Sequence, residues 1–143
     1  MDISEYMMAH GHEQLAIWTD KKAGLRSFIA IHDRTLGPSL GGVRIWPHQT
    51  EEDAIRDVLR LSRAMTYKSA VAGLPLGGGK AVIMADPNKD KTEAMFRSFG
   101  RFVESLGGRY ITTEDVGASP RDLEWVSYET SHVVGLAESL GGS

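Results

Sequence analysis

Gly77-Gly78-Gly79-Lys80-Ala81-Val82-Ile83-Met84-Ala85 sets three glycines and a lysine directly before an unbroken apolar run. With glycine on one side and the turn formers Asp86-Pro87-Asn88-Lys89 on the other, Lys80–Ala85 is expected to be a buried strand. A strand apolar on both faces belongs in a sheet with layers above and below it. The neighbouring segments supply those layers. Upstream, Thr50 is a good helix N-cap, and Glu51, Glu52 and Asp53 fall in a first turn where the helix dipole favours anions. The helix is expected to run to about Ser69, with Ala54, Val58, Leu61 and Met65 as one apolar stripe. Downstream, Asp90 followed by Glu93 suggests a capping box. It opens a helix whose core face is Met95, Phe96, Phe99, Phe102, Val103 and Leu106.

Gly107-Gly108 ends that helix, Arg109–Thr113 returns as a strand, and Ser119-Pro120 has the cap and first-position chemistry of another helix start. Toward the N-terminus, a short helix precedes Glu13–Asp20 and Leu25–Asp33, a hairpin turning at Lys21-Lys22-Ala23-Gly24. The loop Arg34–Leu40 then leads into a third strand, Gly41–Trp46. Such βαβα alternation predicts an α/β fold: a three-layer domain with a mixed, largely parallel sheet flanked by helices. The closing Gly141-Gly142-Ser143 reads as the beginning of a linker, so residues 1–143 are expected to form one domain.

Composition narrows the function. A net charge of −3 gives no general field for nucleic acid or an anionic membrane. Without cysteine there is no disulfide, thiolate nucleophile or thiolate zinc site, and a reducing compartment, the cytoplasm, is expected. No signal peptide or membrane span is expected either. His10 and His12 fall near a terminus expected to fray, and His32, His48 and His132 lack metal-ligand spacing, so no metal site is expected.

Three features could carry chemistry. Lys68 falls beside the apolar stripe of its helix: either its stem packs while its ammonium reaches water, or it is a buried cation awaiting an anion. Lys80 follows glycines that permit close approach to a ligand, or that only form a turn. A phosphate-binding P-loop is excluded, because position 74 is leucine and Ala81 stands where serine or threonine is needed. Asp115, in Thr113-Glu114-Asp115-Val116-Gly117, sits just beyond a strand end, where α/β sheets bind ligands, or merely supports a turn.

Together, Gly37-Pro38-Ser39-Leu40-Gly41-Gly42-Val43-Arg44, Met65-Thr66-Tyr67-Lys68, Gly77-Gly78-Gly79-Lys80 and Thr113–Gly117 resemble the N-terminal domain of the glutamate/leucine/phenylalanine/valine dehydrogenase family, most closely its leucine branch. The resemblance covers nearly the whole chain from Gly11. It implies reversible oxidative deamination of an amino acid to a 2-oxo acid. Lys68 would pair with the substrate carboxylate, helped by backbone amides around Gly41 and Gly42, and Met65 would line the pocket. Lys80 would activate the attacking water, and Asp115 would exchange protons with the amino group. A lysine shielded from water beside another cation has its charged form disfavoured, which suits a base. Glutamate-specific relatives carry a lysine where this chain has Leu40, so an apolar side chain is expected. Thr113 and Val134 depart from the usual leucine-type residues and bear on which apolar substrate is taken.

The resemblance also implies NAD, held mainly by a C-terminal Rossmann domain expected to be absent from this chain; no glycines at n, n+2 and n+5 occur here. The chain alone is therefore expected to show no turnover. Homo-oligomer contacts are implied through the N-terminal helix and outer strands. Two other readings stay open, a non-catalytic amino or keto acid-binding module and an oligomerisation domain.

Overall fold

The structure, a computed structural model, describes residues 1–136. The linker reading of Gly141–Ser143 lies outside them. The elements run α1 (Ile3–His10), β1 (Gln14–Asp20), β2 (Leu25–Asp33), β3 (Ser39–Trp46), α2 (Glu51–Val71), β4 (Gly77–Met84), α3 (Glu93–Ser105), β5 (Tyr110–Glu114) and α4 (Pro120–Ser127). One five-stranded sheet has the order β1-β2-β4-β3-β5. Its outer hairpin and the β2–β4 pair are antiparallel, whereas β3 pairs in parallel with both β4 and β5. The mixed α/β architecture is as expected, with the parallel share confined to the half that holds β3 and β5.

Three layers form. On one face Phe28, Ala30 and Val82 pack against Ala54, Ile55, Val58 and Leu59 of α2, with Ile3, Tyr6 and Met7 of α1 closing the side. On the other, Ile29, Ile31, Val43, Ile45, Ala81 and Ile83 meet Phe96, Phe99, Val103, Leu123 and Val126 of α3 and α4. Each fully buried side chain of this size contributes about 1.5–3 kcal/mol of transfer free energy.

The triple glycine is strand, not turn: β4 begins at Gly77 because its backbone is gripped from both faces. A Cβ on Gly78 would fall 2.2 Å from the Thr66 nitrogen of α2, and one on Gly79 would fall 2.7 Å from the Tyr110 ring. Likewise β3 begins at Ser39, before its glycines, and a Cβ on Gly41 would strike the Gly79 carbonyl. This tight seating also rotates α2. Its buried positions are Ala54, Ile55, Val58, Leu59, Ser62 and Ser69, so Leu61 and Met65 are only half-buried and Lys68 is exposed rather than core-facing. Small serines permit the approach that a stripe of larger residues would prevent.

One cap differs from expectation, and another is as expected. Thr92, not Asp90, caps α3, its hydroxyl accepting from the Met95 amide; the Asp90 carboxylate instead accepts from the Asp86 amide and closes the preceding turn. Ser119 and Asp122 form a full capping box on α4.

Candidate functional site

Helix α2 lies over β2 and β4 and barely reaches β3. On that face, strand alternation places Leu40, Gly42 and Arg44 of β3 and Thr113 of β5 beside the helix rather than beneath it. Leu40, Arg44 and Thr113 are accordingly only half-buried. This uncovered strip is where the sequence features gather.

Lys80 projects from β4 onto the same face at the edge of α2 and is 6% exposed. Its Nζ lies 2.8 Å from Asp115 Oδ2. The β3–β4 register sets Gly42 level with Lys80, and the reason for glycine there is visible: a Cβ on Gly42 would stand 2.6 Å from both Asp115 Cβ and the Glu114 carbonyl oxygen. The missing side chain lets Asp115 fold across β3 to reach Lys80. Behind it, the fully buried Tyr110 hydroxyl donates to the Gly41 carbonyl at 2.7 Å and lies 3.0 Å from Thr112 Oγ1. Burial pushes the Tyr110 hydroxyl well above its ordinary range, so it stays a neutral donor.

The first charged partner of Lys80 is thus a carboxylate, not the second lysine expected beside it. Lys68 stands in the last turn of α2, exposed, its side chain with no hydrogen bond or ion pair among the described residues. It follows Asp57 by about three full helical turns, and so lies on the side of α2 from which Asp57 meets Arg44 of β3. Met65 precedes it, half-buried. Val134 is 44% exposed and lies along the outer edge of β5, its amide donating to the Thr112 carbonyl at 3.0 Å. Gly135 passes close to the Thr113 hydroxyl.

Sequence reasoning missed the second half of the charge network. Arg44 Nε lies 3.2 Å from Asp115 Oδ2, and its Nη1 lies 3.4 Å from Asp57 Oδ2 on α2. Asp57 also meets His48 Nε2 at 3.0 Å and Arg60 at 2.8 Å. The alternation Gly42, Arg44 was the available signal, since it puts Arg44 on the face of Lys80. Partial burial pushes the Asp115 carboxyl up, but the hydrogen bond and charge of Lys80, the Val116 amide and Arg44 outweigh it and hold Asp115 below the usual carboxylate range. Asp57 behaves alike: burial raises it, and His48, Arg60 and Arg44 together lower it.

His12 and His32 are structural, and the expectation of a frayed N-terminus is overturned. His12 is buried with Nε2–H donating to the Leu59 carbonyl at 2.7 Å, and His32 joins the His10 carbonyl (2.7 Å) to the Thr66 hydroxyl (2.8 Å). They bind α1 to α2 and β2.

Chemically, the strip offers a water-shielded ammonium–carboxylate pair able to exchange a proton, an exposed cation able to hold an anion, and an apolar border at Leu40. Fold and site together define the class: the chain belongs to the Glu/Leu/Phe/Val dehydrogenase family, whose dimerisation-domain model matches residues 12–132. Among its relatives, the leucine dehydrogenase of Geobacillus stearothermophilus is 54% identical over 143 residues, all of this chain and 39% of that protein. The phenylalanine dehydrogenase of Caldalkalibacillus thermarum is 53% identical over 132 residues, 92% of this chain and 36% of that protein. The crystal structure of L-tryptophan dehydrogenase from Nostoc punctiforme superimposes with a TM-score of 0.89 at 50% identity, covering 92% of this chain and 39% of that one. The chain therefore spans about two fifths of the length of these relatives. No helix among the described residues is long and apolar enough to cross a membrane.

Proposed function

We propose that this chain is the substrate-binding part of an NAD-dependent amino acid dehydrogenase that interconverts an apolar L-amino acid, leucine or another branched-chain residue first and aromatic ones second, with its 2-oxo acid and ammonia. The observation that carries the reading is the pair of buried Lys80 with half-buried Asp115, opening onto a strip bordered by Leu40. Lys68 holds the substrate α-carboxylate, with the backbone at Gly41 and Gly42 behind it. Lys80 orients and deprotonates the water that attacks the imino carbon, and returns the proton in the reverse direction. Asp115 takes the proton of the amino group. Leu40, Met65, Thr113 and Val134 border the side chain. A carboxylate side chain stripped of water against Leu40 would find no counter-charge, which disfavours acidic substrates.

NAD would supply the hydride acceptor. These 143 residues carry no dinucleotide fingerprint, so no residue of this chain is assigned to the cofactor and the chain by itself is expected to bind without turning over. The match to a dimerisation-domain family supports homo-oligomerisation. A cysteine-free chain fits a cytoplasmic location.

Calorimetric titration with 4-methyl-2-oxopentanoate, phenylpyruvate and 2-oxoglutarate tests the reading. The branched acid is expected to bind most tightly and 2-oxoglutarate at least tenfold more weakly. Preference for 2-oxoglutarate would refute the substrate class. The non-catalytic binding reading differs only in activity, and NADH formation from L-leucine by a longer protein carrying this chain separates the two.

A further inference from the structure

We infer that Arg44 is a positioning residue for Asp115: tethered to Asp57 on α2, its guanidinium holds one carboxylate oxygen of Asp115 on Lys80 and leaves the other for the amino group of the substrate. The identity of that ligand rests on the proposed function; the positioning does not.

Asp115 stands in the loop after β5, opposite a glycine that offers it no side-chain support. Left alone, such a carboxylate would turn toward water. Instead both cations converge on a single oxygen, Oδ2, at 2.8 Å from Lys80 Nζ and 3.2 Å from Arg44 Nε. Oδ1 receives no side-chain donor among the described residues. Lys80 and the Val116 amide also hold this carboxylate, but Arg44 is the donor that is itself tied at its far end. Its Nη1 reaches Asp57, which α2 fixes and which His48 and Arg60 further occupy.

A planar, multi-donor guanidinium can bridge two carboxylates at once, one from its Nε edge and one from a terminal nitrogen. A lysine carries its donors on one nitrogen at the end of a flexible stem and offers no such fixed fork. The bridge thus ties the loop after β5 to the helix that carries Lys68. It fixes Asp115 relative to Lys68, so an amino acid held by its carboxylate at the helix end meets an oxygen already turned toward its amine. A 2-oxo acid has no amine and does not use that contact.

This sets a test with two arms, run on the chain with Arg44→Lys, Arg44→Gln and, as a control, Arg60→Gln. In the first arm, the Lys80 ammonium is followed by 1H–15N NMR. Its protons are expected to exchange about tenfold faster or more in both Arg44 variants and unchanged in Arg60→Gln, the scale of one lost charge-assisted hydrogen bond. Wild-type exchange in Arg44→Lys would overturn the bridging argument, because charge alone would then suffice. In the second arm, L-leucine and 4-methyl-2-oxopentanoate are titrated. Both Arg44 variants are expected to bind L-leucine about tenfold more weakly while the oxo acid stays within about twofold. Equal weakening of both ligands would overturn the assignment in favour of a general structural role. Failure of the wild-type chain to bind either ligand would refute the proposed function, and the lysine exchange would still decide the role of Arg44.

Discussion

On one face of one sheet, β2 and β4 lie under α2 while β3 and β5 lie beside it, and the two halves are built from different residues. The covered half presents Phe28, Ala30 and Val82 to apolar helix positions, and its buried histidines, His12 and His32, serve to join α1 to α2 and β2. The uncovered half presents Leu40, Gly42, Arg44 and Thr113. Lys80 stands on the border, close enough to α2 to be shielded from water and close enough to β3 to meet Asp115. Coverage therefore separates two tasks. The covered half stabilises the domain, and the uncovered half places charge.

The separation can be broken at its strong end first. Phe28→Ala, a cavity in the covered half, is expected to lower unfolding free energy by about 3–5 kcal/mol in urea denaturation. Gly78→Ala is expected to cost about 1–3 kcal/mol, since its Cβ would meet the Thr66 nitrogen and Ser62 carbonyl of α2 with little room to shift. A neutral Gly78→Ala would mean that α2 is not seated on β4 as described.

Acid separates the halves by the sign of their groups. Burial first, with His32, His10 and Arg63 adding to it against the Leu59 hydrogen bond, holds His12 below its ordinary value of 6.5. The unfolded chain then binds the proton more readily, so stability falls as pH drops below about 6.5, and His12→Gln should remove that limb from a pH series of denaturation curves. Asp115 and Asp57 are held low, so their contribution is present above the ordinary carboxylate value of 3.8 and is lost only as pH falls through their lowered values. The covered half should therefore weaken before the charge network does. The smallest effect belongs to Lys68→Ala, expected within about 0.5 kcal/mol of wild type because the side chain is exposed, while it abolishes 2-oxo acid binding.

Much of this was legible from residue order. Apolar runs, turn residues and helix starts marked the strands and the longer helices, and Lys80 and Asp115 stood out by position, one after glycines and one past a strand end. The phase of α2 was not legible, because an apolar count favours Leu61 and Met65 over Ser62 and Ser69, whereas the close approach to Gly78 rewards the smaller residues. Arg44, Asp57 and His48 were invisible as a group, since β3, the following loop and α2 meet only in three dimensions. Thr92 outcompeted Asp90 because the aspartate was already engaged by the turn. His12 lies two residues past the short α1, and only packing against Leu59 shows that it is held.

The most direct test of the division is to map 4-methyl-2-oxopentanoate on the labelled chain by NMR chemical-shift changes. The account predicts shifts at Leu40, Gly42, Thr113, Lys68 and Lys80, with Phe28, Leu59 and Val82 unmoved. Shifts centred under α2 or on α1, with the uncovered strip silent, would contradict it.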